Sequence, residues 1–165
     1  MTTQERVKQC LHYNAETGSF IWLVANSSHP AAGSIAGGLT STGYWRIALD
    51  GRRYKAHRLA WLYMIGEWPR AQIDHINGDR LDNRWINLRE ASQIQNSANM
   101  RTRDSNLIGI KGVSLYRGIR GDKYRAHIFI RGKTIYLGSF DSAHEAATVY
   151  VRAAEAEWGQ YARAA

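Results

Sequence analysis

Within two dozen residues, IDHINGDRLDNRWINLREASQIQN from Ile73 to Asn96, the chain carries an Asp-His pair, a Gly-containing polar loop and a series of asparagines. These groups can hydrolyse a phosphodiester. That reaction needs a nucleophilic water, charge stabilisation on the phosphate and help for the leaving group. Asp74 offers a carboxylate and Asn96 an amide carbonyl. Both are oxygen donors, the kind a hard cation such as Mg²⁺ takes alongside water and phosphate oxygens. His75 titrates near neutrality and can accept a proton from water as general base. A base needs a partner that fixes its ring, and a carbonyl from Asn87 or from the loop backbone could serve. Each residue has a plainer reading on its own. An Asn-Gly loop is most often a turn, and an isolated histidine is most often a hydrogen-bonded surface residue. The ordered set is what points to chemistry.

The elements that must position these groups are readable around them. Residues 72–75 predict a short strand, 77–83 a polar loop, 85–89 a returning strand, and 92–100 a helix with Ser92 at its N-cap. A strand–loop–strand–helix of this size can bring its two ends together. On a strand, His75 points away from Asp74 unless the backbone twists there. Upstream, residues 1–56 read as strands and turns. There is a turn at 16–19, an apolar run at 20–24, a Gly/Ala/Ser-rich loop at 28–43, a strand at 44–49 and an Asp50-Gly51 hairpin turn into 53–56. Residues 58–65 predict a helix with Leu59, Leu62 and Ile65 or Met64 on one side; Gly66 ends it and Pro69 prevents resumption. His57 reads as a structural histidine. Asn77, Asp79, Asp82 and Asn83 read as shapers of the loop, and His12, His29 and His144 as incidental.

Composition bounds what the whole chain can be. Its 165 residues fit one compact domain or two small ones, and 44% hydrophobic content allows a packed core. No apolar run approaches the ~20 residues that span a bilayer, and MTTQERVKQC lacks the apolar stretch of a secretory signal. A cytoplasmic setting is expected. Cys10 is the only cysteine, so an internal disulfide and a cysteine zinc site are both excluded; it reads as a small buried apolar residue. A net charge of +8 and a pI near 9.9 favour an anionic partner, nucleic acid above all. The charge is concentrated: residues 101–133 hold nine Lys or Arg against two acids, Asp104 and Asp122.

The polar stretch 100–107 marks a boundary. Beyond it, strands are predicted at 112–116, 123–130 and 134–138. The middle one alternates, with Tyr124, Ala126, Ile128 and Ile130 on one face and Lys123, Arg125, His127 and Phe129 on the other. A closing helix begins at Ser142, which with Glu145 has capping-box spacing, and carries an apolar stripe from Ala143 through Tyr150 to Trp158 before Gly159 stops it. That stripe can cover one face of the sheet and leave the basic face outside.

AHRLAW at 56–61, EWP at 67–69, DHINGD, Asn87-Leu88 and a terminal Asn96 together resemble the HNH homing-endonuclease family of phages and introns, over roughly residues 10–100. The resemblance implies the ββα-metal fold. It implies that Asp74 and Asn96 bind the divalent ion, that His75 activates water, and that Asn87 holds the loop and His75 in place. Asn96 stands where many relatives have histidine, which suits oxygen-liganded Mg²⁺ or Mn²⁺.

Residues 108–163 resemble the Apetala-type (ethylene-response-factor) DNA-binding domain of plants. The matching residues are Gly112-Val113, Tyr124–Ile128, Tyr136–Phe140, Ala143–Ala147 and Tyr150. That family lays its three-stranded sheet in the major groove, where base edges are distinguishable. By this resemblance Lys111, Ser114, Tyr116, Arg125, His127, Phe129, Thr134 and Tyr136 meet DNA, while Arg117, Arg120, Lys123, Arg131 and Lys133 mostly meet phosphates. Ser114, Tyr116 and Phe129 replace base-reading arginines of the plant proteins, so their sequence preference does not transfer.

The expected fold class is therefore α+β. A ββα-metal nuclease core with N-terminal β-hairpins is followed by a small three-stranded antiparallel sheet packed on one C-terminal helix. The expected division is 1–103, with the core at about 70–100, and 104–165. The expected function is a divalent-metal-dependent DNA endonuclease, nicking or cutting duplex DNA as a monomer in the cytoplasm or nucleoid of a bacterial host, with Mg²⁺ or Mn²⁺ as cofactor, duplex DNA as partner and no membrane. The alternative is a DNA-binding regulator whose nuclease half is decayed. An RNA-binding sheet ranks last, because its aromatics lack the paired signature of such binders.

Overall fold

The chain opens with a helix, α1 (Gln4–Cys10), where the sequence pattern predicts strands and turns. Local chemistry explains it. Thr3 accepts a hydrogen bond from the Arg6 N–H at 3.2 Å as N-cap, Glu5 sits in the first turn and Lys8 in the last, and Val7 and Cys10 share the buried side. Seven residues are too few for a periodicity to declare itself. The computed structural model describes residues 1–25, 31–100, 102, 106–119 and 121–163.

Two compact units are distinguished, Met1–Gln93 and Ile94–Ala165. In the first, β1 (Leu11–Tyr13) and β2 (Phe20–Trp22) form an antiparallel hairpin. A second sheet runs in the order β3 (Gly38–Leu39), β4 (Trp45–Leu49), β5 (Arg52–Lys55), with Asp50-Gly51 turning β4 into β5 as expected. The two-residue β3 falls in the stretch read as loop, because a strand that short carries no alternation.

Helix α2 (Ala56–Ile65) starts two residues before the predicted 58, which draws His57 into its buried face with Ala56, Leu59, Ala60 and Leu62. Ile65 or Met64 was expected to complete that side, but they are 53% and 41% exposed. Gly66 ends the helix, its N–H donating to the Leu62 carbonyl at 3.0 Å. Next come β6 (Gln72–His75) and β7 (Leu88–Ala91), paired antiparallel. The returning strand predicted from residue 85 begins only at Leu88. Trp85–Asn87 form a 3₁₀ turn in which the Asn87 N–H donates to the Arg84 carbonyl at 2.9 Å. The Trp85 N–H is already engaged by the Ala15 carbonyl, so these residues are withdrawn from the ladder.

The first unit's core gathers Val7, Leu11, Phe20, Ile47, Leu49, Leu59 and Leu62 from all of its layers. Each such side chain contributes about 1.5–3 kcal/mol on burial. Cys10 lies within it, as expected.

The chain then enters α3 (Gln93–Asn99), and the division after Gln93 precedes the boundary suggested at 103/104. Lys111 gives a physical reason for counting most of α3 with the second unit. Its ammonium donates to the carbonyls of Ala98 and Met100, the latter at 2.9 Å. Burial, followed by the nearby Arg163, lowers its pKa to about 8.

Strands β8 (Val113–Gly118), β9 (Gly121–Ile130) and β10 (Lys133–Phe140) form an antiparallel sheet with β9 central. Helix α4 (Ala143–Trp158) covers one face, with Ser142 accepting from the Glu145 N–H at 3.2 Å as its cap. Ala126 and Ile128 pack beneath Ala146, Tyr150 and Ala154. Gly112 has φ +70, and a Cβ there would lie 2.1 Å from the Tyr150 ring, so only glycine permits this approach. No helix among the described residues is long and apolar enough to cross a membrane.

Candidate active site

Strand β6 delivers Asp74 and His75 side by side, and both are buried, each 5% exposed. Successive strand residues face opposite ways, so protein covers both faces of β6 here. Asp74 pairs across the ladder with Arg89. Its Oδ2 accepts from Arg89 Nε at 3.0 Å and from Nη2 at 2.9 Å. The pair is almost wholly withdrawn from water, with side chains 6% and 13% exposed. A buried carboxylate requires a cation, and Arg89 meets that need within the fold.

The His75 Nε2 lies 3.2 Å from Asn83 Oδ1. The ring of His57 meets His75 edge-on, with centroids 4.9 Å apart at 85°. Burial lowers the His75 pKa, against the raising effects of Asn83 and the neighbouring carboxylates, so the imidazole is neutral at neutral pH. Burial, then the neighbours His75, Lys55 and Arg58, lower the His57 pKa to about 3.

This has a consequence for stability. An unfolded histidine titrates near 6.5, so the stabilising difference is complete above that value. It is lost as pH falls from about 6.5 toward 3, at up to about 1.4 kcal/mol per pH unit from His57, with His75 adding in the same direction. Urea midpoints at about pH 7 and about pH 5 should drop accordingly in the wild type, and less steeply in His57→Gln. Parallel pH profiles for the two proteins would show that His57 is not the group responsible.

The loop 76–87 is organised by asparagines. Asn87 Oδ1 accepts from the Asn77 N–H at 3.0 Å. Asn87 Nδ2 donates to Asn77 Oδ1 at 3.0 Å and to the Asp82 carbonyl at 2.8 Å. Asn77 Nδ2 donates to Asp82 Oδ2 at 2.7 Å. The Arg84 guanidinium holds the Asp82 carboxyl down to about 2. The ends of the loop are closed by the Ile76 N–H on the Asn87 carbonyl at 2.9 Å.

Asn83 is anchored from outside the loop. The Tyr13 hydroxyl donates to its carbonyl at 2.6 Å. The β1–β2 turn packs directly on it: a Cβ on Gly18, at φ +74, would sit 2.4 Å from the Asn83 carbonyl carbon and 2.5 Å from the Arg84 nitrogen. The N-terminal hairpin therefore sets where the His75 partner sits. At Nε2 that partner is the side chain of Asn83, a residue read from the sequence only as a shaper of the loop. Arg89 and His57, too, became visible as neighbours of Asp74 and His75 only in the folded chain.

Asn96 lies on α3, which the division counts with the second unit. Among the described residues, no three His, Cys, Asp or Glu side chains come together to hold a metal ion. A hard cation would draw on the Asp74 carboxylate, amide oxygen, water and phosphate oxygens.

In the second unit, cross-strand pairs place Ser114 with Arg125, Tyr116 with Lys123, His127 with Tyr136 and Phe129 with Thr134 on the sheet face away from α4. Phe129 and Tyr136 are 64% and 61% exposed, and the Arg125 guanidinium stacks 3.5 Å over the Tyr116 ring. Arg117, Arg131 and Lys133 are exposed. Lys123 is ion-paired with Asp141, and Arg131 approaches Glu157 at 3.7 Å. Lys111 is turned onto the backbone that ends α3. Arg120 lies outside the described residues, as do Arg101, Arg103, Asp104 and His29.

Residues 54–98 match the family described as HNH endonuclease, a span running from β5 through α2, β6, the loop and β7 into α3. Over 114 residues the chain is 35% identical to Protein 3.8 of Escherichia phage T7, covering 67% of this chain and 92% of that protein. It is 30% identical over 126 residues to an HNH endonuclease of Acanthamoeba polyphaga mimivirus, covering 75% of this chain and 63% of the viral protein. A shorter stretch of 44 residues is 50% identical to APETALA2-like protein 2 of Oryza sativa, covering 27% of this chain and 10% of the plant protein. No solved structure gives a significant match.

Proposed function

The chain belongs to the HNH endonuclease family and is a DNA-cleaving hydrolase, and from that premise we propose that it nicks or cuts duplex DNA with the aid of a divalent cation, His75 acting as general base. The observation that carries this reading is the neutral, buried His75 imidazole beside a buried carboxylate, its Nε2 at hydrogen-bond distance from Asn83 Oδ1. An Nε2–H donating to that oxygen leaves the lone pair on Nδ1, the tautomer able to take a proton from water. That water then forms the new bond to phosphorus while the bond to the leaving oxygen breaks. Asn87 acts at one remove, tying Asn77 to Asp82 and so holding the segment that carries Asn83.

Asp74 and Asn96 are the groups that would hold the cation, Mg²⁺ or Mn²⁺. Their chemistry fits: both offer oxygen, and the Asp74 carboxylate already draws a positive charge onto itself in Arg89. When bound, such an ion neutralises charge on the phosphate and acidifies a water.

The second unit is, in this reading, a grip of Apetala type. An exposed strand face with three aromatics and Arg125 stays uncovered by α4, and such a face suits the major groove. A homing-type role in a phage or mobile element is the biological setting we attach, on the strength of the phage and viral relatives.

The test is supercoiled plasmid incubated with the full chain in Mg²⁺, in Mn²⁺ and in EDTA. Conversion to open circles or linear DNA is expected with either cation and not in EDTA. Cleavage that persists in EDTA removes the cation from the reaction. Tight plasmid binding without cleavage under every condition favours a regulator whose nuclease half is decayed.

A further inference from the structure

The proposed chemistry leaves a group of cations in the first unit without a role. Arg46 on β4 stands directly opposite Lys55 on β5. Like charges at opposite cross-strand positions repel and destabilise a sheet. Arg80 crowds the same ammonium, and it is held there by donating to the Thr42 carbonyl at 3.2 Å. Burial, and then Arg58, Arg80 and Arg46, lower the proton affinity of Lys55.

The Tyr44 ring collects two of these charges, with Lys55 Nζ 3.9 Å and Arg80 Cζ 5.0 Å from its centroid. The ring offsets only part of the repulsion. Among the described residues, no carboxylate pairs with Arg46, Lys55 or Arg80, whereas Arg6, Arg70, Arg84, Arg89, Lys123 and Arg131 each have an acidic partner. Arg53 extends the same outward face, opposite Ala48. The cluster also adjoins the candidate base: Tyr44 lies 5.4 Å from His57, which in turn meets His75. A set of cations gathered at a fold's expense, without acids, beside a site that cleaves an anionic backbone, calls for an anionic occupant.

We propose that Arg46, Lys55 and Arg80, gathered around Tyr44, form a phosphate cradle that holds the DNA backbone next to the scissile bond. The inference rests on the nuclease reading above and adds to it a contact surface inside the first unit, separate from the β8–β10 face. Lys55 and Arg80 each neutralise a phosphate and release counterions, so each adds about 0.9 to the steepness of binding against salt.

The experiment uses the full chain with Lys55→Gln/Arg80→Gln, Lys55→Arg, and Arg70→Gln as an exposed control outside the cluster. Binding of a duplex oligonucleotide is measured in EDTA across a salt series, and nicking of plasmid in Mg²⁺. The double variant should bind about tenfold more weakly at low salt, with a salt slope shallower by about two. Lys55→Arg and Arg70→Gln should keep the wild-type slope. The melting temperature of the double variant should hold or rise, because repulsion is relieved. Wild-type slope and affinity in the double variant, or a melting temperature several degrees lower, would overturn the cradle. The two readings separate cleanly. A wild type that nicks, with an unchanged slope in the double variant, sinks the cradle alone. A wild type that never nicks, with a slope still lost in the double variant, sinks the nuclease reading and leaves an anion-binding surface.

Discussion

Replacing His75 with alanine is expected to lower the nicking rate by about 10²- to 10⁴-fold, the range a positioned general base supplies. Duplex affinity should be kept, because the cations assigned to backbone contact belong to other residues. The geometry explains why the loss should be so large. His75 is held neutral by burial and is met at Nε2 by Asn83. The neighbouring imidazole, His57, meets the ring of His75 edge-on rather than at Nε2. Asn83→Ala is the graded companion. It keeps the base and removes its partner, so a loss of about ten- to hundredfold is expected, by analogy with partners that orient histidine ligands. Single-turnover cleavage, with DNA binding measured alongside, checks both. Near wild-type cleavage by His75→Ala would mean that another group takes the proton. An Asn83→Ala variant as impaired as His75→Ala would mean that the amide does more than orient.

The second large effect is on stability as well as activity. Asp74→Ala removes the carboxylate that the Arg89 guanidinium meets in a site where its side chain is 13% exposed. Removing one partner of a buried ion pair costs about 3–5 kcal/mol. At about 4–8 °C per kcal/mol for a unit of this size, the melting temperature should fall by more than about 10 °C. Adding Arg89→Met to Asp74→Ala removes the buried charge and should return most of that stability. It should not return cleavage, because the carboxylate oxygen offered to the cation is still gone. A third measurement ties the pair to the ion. Mg²⁺ binding to the native state raises its melting temperature by mass action. That increment should be present in wild type and absent in both variants. If Asp74→Ala melts with wild type, the buried pair is not a stabilising neutralisation. If the double variant is still raised by Mg²⁺, Asp74 is not the carboxylate that holds it.

The architecture was legible wherever neighbours in sequence decide it. Asp50-Gly51 turns β4 into β5, Gly66 closes α2, Ser142 caps α4, and the alternation along β9 separates Ala126 and Ile128 from Arg125 and Phe129. Short or distorted elements escaped. Helix α1, the two-residue β3 and the 3₁₀ turn at Trp85–Asn87 are each too brief to carry a period. The helix predicted from residue 58 begins at Ala56, and those two extra residues are what bury His57.

For the site the same division holds. The types and order of Asp74, His75, Asn87 and Asn96 were determined by sequence, because their chemistry is a property of each side chain and of its spacing. Which groups face them was decided by tertiary structure alone. Tyr13 and Gly18, on a hairpin some 70 residues upstream, set the backbone of Asn83. Arg89 reaches Asp74 through cross-strand register, and Arg46, Lys55 and Arg80 become one cluster only when β4, β5 and the loop fold around Tyr44. Burial and charge–charge energies depend on distance through space, and a linear pattern carries no measure of it.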